Sequence, residues 1–205
     1  MICLCWLAAS LSGSASSLAE EPPGGASSEL WRAPSGAPCR AELIQRLGGV
    51  RVSAAPSGTP WIVSGPSNLR LAASTQTTSV ALTIEAASKP SEQADQDVEI
   101  ALPEGCELAI RTEHGAVHVD LGGRAAPISV DTVSGEIAVT VAPDVEATIA
   151  LATSGMITVD FTISINHRYH EEPAKHGQIV LGDGATQMRL TSLRGNVSVL
   201  RLWAR

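Results

Sequence analysis

The sequence predicts an all-β fold, assembled by stacking a strand–Gly–strand unit that recurs at a spacing near 20 residues. Three observations carry this expectation. Glycines at 115, 135 and 155 are evenly spaced, and each is followed two and four positions later by Val or Ile. Hydrophobic content is 44% while aromatics are 3%, so the core must be built from Val, Ile, Leu and Ala, which suit thin stacked layers. Short alternating runs bounded by turn residues fill the spaces between, and no convincing helical period exceeds two turns, except over 41–47.

The unit is legible from its copies. Ile110 to Val119 contains Gly115, Val117 and Val119; Val130 to Val139 contains Gly135, Ile137 and Val139. Ala150 to Val159 contains Gly155, Ile157 and Val159; Leu190 to Val199 contains Gly195, Val197 and Val199. Gly48 with Val50 and Val52 reads as an earlier copy, and Gly177 with Ile179 and Leu181 as a displaced one beside a polar insert at 166–176. Positions two and four after each glycine share one strand face, so they form the inner wall. The third residue before the glycine is Thr112, Thr132, Ala152 or Ser192. Gly48, Gly115, Gly135, Gly155, Gly177 and Gly195 are expected to be turn glycines in a conformation closed to residues with a Cβ. In the Gly155 copy the upstream alternation slips to Ile149 and Leu151, which predicts a bulge or a strand buried on both faces.

A fixed period favours a β-solenoid, with a β-sandwich as the alternative. Further strands are expected at 61–64, 69–73, 80–86 and 97–102, the last running into the turn Pro103-Glu104-Gly105. For end caps, 41–47 is expected to cover one end of the stack, and the tail Leu200–Arg205 with Trp203 the other.

The N-terminal stretch reads differently. Residues 1–19 are uncharged, apolar from Ile2 to Ala9, and end on Ser17-Leu18-Ala19, the small-residue pattern of a secretory leader; a positive n-region is missing. Residues 20–42 are rich in Pro, Gly, Ser and Ala, and are expected to form a linker or extended arm, with Leu30-Trp31 as a docking point. A single β-strand-repeat domain follows over 43–205. Cys3 and Cys5 would leave with the leader, and the remaining Cys39 and Cys106 are disulfide candidates in an oxidising compartment, with free thiols as the alternative.

The formal charge of −7, without a basic block, argues against nucleic-acid partners. The apolar leader is too short to span a bilayer, and no transmembrane span is expected in the mature chain.

Chemistry-bearing residues are sparse. His114 and His118 flank Gly115, but a turn separates them. The insert carries His167, His170 and His176 with Glu171 and Glu172; these are weak metal candidates, because their spacing matches no standard site. Asp120, Asp131 and Asp160 could pair as in a polysaccharide-cleaving β-helix, which requires a defined separation in a cleft. No Gly-x-Ser-x-Gly elbow or phosphate-binding glycine loop is present. The four tryptophans, Trp6, Trp31, Trp61 and Trp203, lie outside the repeat, which counts against a sugar-stacking platform there. No catalytic residue and no cofactor is expected.

The Thr-x-x-Gly units, the entry Leu102-Pro103-Glu104-Gly105 and the closing segment Gly182 to Leu200 resemble the bacterial putative-adhesin β-strand-repeat family over residues 48–201. That resemblance implies an exported β-repeat domain without assigned catalytic residues. It points to a non-enzymatic structural or interaction module that is periplasmic, envelope-associated or extracellular. Its expected partner is an envelope protein or a glycan. A carbohydrate-active β-helix enzyme and a metal- or pH-responsive sensor using 166–176 are the alternatives.

Overall fold

Alternation of apolar and polar residues dictates strands throughout, and a computed structural model bears this out over residues 27–34, 36–86, 96–122 and 126–202. The leader expected at 1–19 and the tail 203–205 lie outside these described residues. The elements are β1 (Ser28–Arg32), β2 (Arg40–Gln45), β3 (Val50–Ala55), β4 (Ile62–Gly65), β5 (Leu69–Thr75) and β6 (Val80–Ala86). Then come β7 (Val98–Pro103), β8 (Glu107–Thr112), β9 (Val117–Asp120), β10 (Ile128–Thr132), β11 (Ile137–Val141) and β12 (Ala147–Thr153). The last are β13 (Ile157–Val159), β14 (Ser164–His167), β15 (Lys175–Leu181), β16 (Thr186–Ser192) and β17 (Val197–Arg201).

Two mixed sheets form, neither closed into a barrel. One has eight strands in the order β1-β4-β7-β3-β9-β11-β17-β13, the other nine in the order β14-β15-β12-β16-β10-β8-β2-β6-β5. The arrangement is sandwich-like. The copies at Gly48, Gly115, Gly135, Gly155 and Gly195 each put one strand in each sheet and turn the corner at the glycine. Within the nine-stranded sheet the copies pair parallel and in register, so Leu82, Leu43, Ile110, Val130, Leu190 and Leu151 form one inward row. Facing them, Val98, Val50, Val117, Ile137, Val197 and Ile157 form a row in the other sheet. Nearly all are fully buried, and each contributes about 1.5–3 kcal/mol by leaving water.

The two mixed sheets fit the β-sandwich alternative and do not show the expected β-solenoid, and the order of the copies differs from their order in the chain. The copies stack in the order Gly48, Gly115, Gly135, Gly195, Gly155, because β16 lies between β10 and β12 and β17 lies between β11 and β13. After β13 the chain forms the β14–β15 hairpin, antiparallel to β12, before returning to the open slot. Spacing identifies copies, but all present the same inward rows, so it does not fix which copies become neighbours.

Two other expectations change. Gly177 is not a turn: it lies inside β15 opposite Leu151, and the space where a Cβ would stand holds Ile163. The segment 160–163 thus caps this end of the core, with Phe161 and Ile163 partly buried against it. The expected cap at 41–47 sits elsewhere in the fold, since 41–45 belongs to β2, two strands inside the sheet edge, with Ala41 and Leu43 facing the opposite sheet. Of the tail expected to cap the other end, Leu200 and Arg201 belong to β17 and Leu202 is partly buried against the core, while Trp203 lies outside the described residues. In the arm, Ser28–Arg32 forms edge strand β1, and Leu30 and Trp31 pack partly buried against the core.

The corners explain the glycines. Gly48 and Gly115 have positive φ (97° and 133°), whereas Gly135, Gly155 and Gly195 do not. What excludes a side chain is the glycine of the adjacent copy. A Cβ on Gly115, Gly135, Gly195 or Gly155 would fall well inside 3.0 Å of the carbonyl of Gly48, Gly115, Gly135 or Gly195 respectively. Beside this column runs a buried polar row, Gln45, Thr112, Thr132, Ser192 and Thr153, paired strand to strand. Thr132 Oγ1 accepts from the Gly135 N–H (3.0 Å). Ser192 Oγ accepts from the Gly195 N–H (2.9 Å) and donates to the Gly135 carbonyl (2.8 Å). Thr153 Oγ1 accepts from the Gly155 N–H (2.8 Å). Thr153 therefore fills the role expected of Ala152: this corner is one residue shorter, and Ile149 and Leu151 simply face inward, without a bulge in the β12–β16 register.

Candidate interaction surface

With the inner faces consumed by packing, chemistry is confined to the outer faces, the corners and the hairpin 164–181. On the eight-stranded sheet, residues between the inward valines point out. Glu99, Arg51 and His118 on β7, β3 and β9 are register partners, so acid, guanidinium and imidazole stand side by side on adjacent strands. Neighbouring strands lie about 4.8 Å apart, within reach of one small polar ligand. The row continues into the short side chains Ala138, Ser198 and Thr158. A groove of about 550 Å³ opens at its corner end, lined by Gly48, Gly49, Arg51, Asp97, Glu99 and His118. There Asp97 Oδ1 accepts from the Gly49 N–H at 2.6 Å. Such a set offers donors and acceptors suited to hydroxyl or carboxylate groups. Sequence reading missed this row because its members lie on distant segments; the only signal was their shared outward phase.

His114 and His118 do not form one site. His118 stands on the outer face, while His114 sits at the corner with Nδ1 2.6 Å from Ser134 Oγ. A Ser–His pair becomes nucleophilic only with a group orienting the base and donors for an oxyanion. Among the described residues no carboxylate is bonded to the other ring nitrogen; the adjacent Glu113 pairs with Arg46 at 3.1 Å.

The hairpin separates the three imidazoles expected to be metal candidates. His167 is the register partner of Lys175, and His176 that of Asn166, so His167 and His176 project from opposite faces. His167 stacks on Tyr169 with centroids 5.9 Å apart. His176 Nε2 lies 3.9 Å from Glu171 Oε2, and His170 lies in the connecting loop. Among the described residues no three His, Cys, Asp or Glu side chains converge. The carboxylates are likewise apart: Asp120 faces out from one sheet and Asp131 from the other, while Asp160 Oδ2 accepts from the Arg201 N–H at 3.0 Å.

Cys39 and Cys106 are joined by a disulfide immediately before β2 and β8. The same seam carries three exposed ion pairs, Arg40–Glu107 (3.4 Å), Arg111–Glu42 (3.2 Å) and Arg46–Glu113. Exposed pairs add at most about 1 kcal/mol each, so the covalent link dominates. The disulfide borders a groove of about 540 Å³ with Arg32, Pro34, Pro60, Pro103 and Glu104; Trp61 is buried in its floor and offers no stacking face. At its rim a hydrogen bond from Arg32 holds the Glu29 carboxyl below its usual range.

No family model and no curated protein matches the chain. Among solved structures, one described as a "putative cell adhesion protein" from Clostridium sporogenes is similar at 11% identity and a TM-score of 0.50, over 87% of this chain and 100% of that one. Another, described as a "putative adhesin" from Bacteroides fragilis, aligns at 8% identity and a TM-score of 0.28, over 88% and 99% of the two chains. What this chain shares with the clostridial protein is its fold.

Proposed function

We propose that the chain is an exported, non-enzymatic, adhesin-like module of the cell envelope that binds a partner protein or glycan through the flat outer face around Arg51, Glu99 and His118. The observation carrying this reading is that row: mixed hydrogen-bonding groups on three rigid adjacent strands beside a shallow groove. Rigid strands hold such groups more accurately than loops do. The disulfide supports an oxidising compartment. The clostridial fold match agrees with an adhesin-like role at a coarse level.

The test is binding of the purified chain to envelope fractions and to a glycan array, against the variant Arg51→Ala/His118→Ala. Retention by the native chain and at least tenfold weaker retention by the variant is the expected result. Equal retention by both would remove the face from the proposal, and no retention by either would remove the envelope reading.

A further inference from the structure

Among the described residues the two sheets end in four edge strands, and they are not equivalent. An edge exposes unpaired backbone N–H and C=O groups, and proteins blunt it with bulges, charge or short length. β1 is interrupted by a register shift between Glu29 and Trp31 and carries the Glu29–Arg32 ion pair. β13 has 3 residues, and β14 has 4. β5 carries one charge, Arg70 near its start, but it has no bulge and runs for 7 residues. It pairs with β6 through seven consecutive positions without a shift, and Ala72, Ala73, Ser74 and Thr75 are exposed. From Leu71 to Ile84 the sequence holds no charged residue and no proline.

We propose that β5 is a self-association edge, at which a second copy of this chain pairs its own β5 antiparallel about a twofold axis at Ala72. The pairing is argued from the strand's own order, Leu69-Arg-Leu-Ala-Ala-Ser-Thr75. About that axis Ala72 meets Ala72 of the second copy, Leu71 meets Ala73, Arg70 meets Ser74 and Leu69 meets Thr75. Every larger side chain opposes a smaller one. The lone charge faces a hydroxyl that can accept its hydrogen bond, so no like charges oppose. A twofold contact of this kind closes on itself and leaves no further β5 edge. With side chains this small the backbone hydrogen bonds carry the seam, so a concentration-dependent monomer–dimer equilibrium is expected. The two nine-stranded sheets would merge into one continuous sheet. This inference stands independently of the proposed binding face, which lies on the other sheet.

Sedimentation equilibrium of the full chain tests it, with Ala72→Lys, Ala72→Glu and their equimolar mixture. Like charges directly opposite destabilise strand pairing. Each single variant should therefore raise the dimer dissociation constant by up to about fivefold, and the mixture should restore dimers. Thermal unfolding of each variant separates loss of pairing from loss of fold. Should either fail to fold, Ser74→Lys, which faces Arg70 of the second copy, replaces it with the same expected weakening. A native chain that stays monomeric at its solubility limit, or dimers that neither variant weakens, would overturn the proposal.

Discussion

Replacing Gly135 by Ala isolates the central packing device of the fold. Gly135 has no positive φ, so its backbone would accept alanine without strain. Its Cβ, however, would collide with the carbonyl of Gly115 and lie 2.8 Å from Thr132 Oγ1. The main obstacle is backbone and cannot rotate away, so the two corners must separate. That puts at risk the bonds Val117 N–H to Glu136 O (2.7 Å), Gly135 N–H to Thr132 Oγ1 (3.0 Å) and Ser192 Oγ to Gly135 O (2.8 Å). Losing two or three bonds at about 1 kcal/mol each, with about 1–3 kcal/mol of overpacking, gives a destabilisation of about 4 kcal/mol. Gly58→Ala is the control. Gly58 has a φ of 76° and nothing within 4 Å of its Cβ position, so its cost is conformational only, about 1–2 kcal/mol. Urea unfolding compares them: with a slope of about 2 kcal/mol per molar, the midpoint should fall by about 2 M for Gly135→Ala and by less than about 1 M for Gly58→Ala. Gly155→Ala, at the end of the column, should fall between the two. Equal shifts for Gly135→Ala and Gly58→Ala would refute the close-approach argument and return the corners to ordinary turn chemistry.

Other outcomes follow from the same geometry. Cys39→Ser/Cys106→Ser opens a 67-residue loop and should cost about 4 kcal/mol by chain entropy, read as a lower urea midpoint that reducing agent moves no further. Ser192→Ala strips two hydrogen bonds from a fully buried position and should cost about 1–3 kcal/mol in the same assay, whereas Ser198→Ala on the outer face should change little. Glu29 titrates below its usual range because Arg32 donates to it, so its contribution to stability is complete above the unfolded carboxylate pKa and is lost as pH falls through the depressed folded value. Arg32→Ala should raise the Glu29 pKa in an NMR titration; an unchanged value would show that the pair does not persist in solution.

The strands were legible because a strand needs only local alternation, and the expected runs at 61–64, 69–73, 80–86 and 97–102 correspond to β4, β5, β6 and β7. The segment 41–47 hid its strand character because Ala41, Leu43 and Gln45 face in while Ile44 and Leu47 are also large and apolar. Gly177 imitates a corner for a related reason: Gly-x-Ile-x-Leu matches the unit, yet in β15 the missing Cβ admits Ile163 rather than a neighbouring corner. The Arg51–Glu99–His118 row had no local signature at all, since parallel registers between remote strands bring it together.

By itself, the sequence determined the all-β class, the corner glycines with their flanking aliphatics and the polar position before most of them. Each depends on side-chain alternation or on one residue's shape, and such properties are written locally. Only the tertiary structure decided that the Gly195 copy inserts between the Gly135 and Gly155 copies, that carbonyls of adjacent corners forbid a Cβ, and that β5 is an edge strand among the described residues. Those facts depend on which near-identical units become neighbours. Interchangeable inward rows make every such pairing locally acceptable, so the choice rests on chain connectivity and the closing of the core.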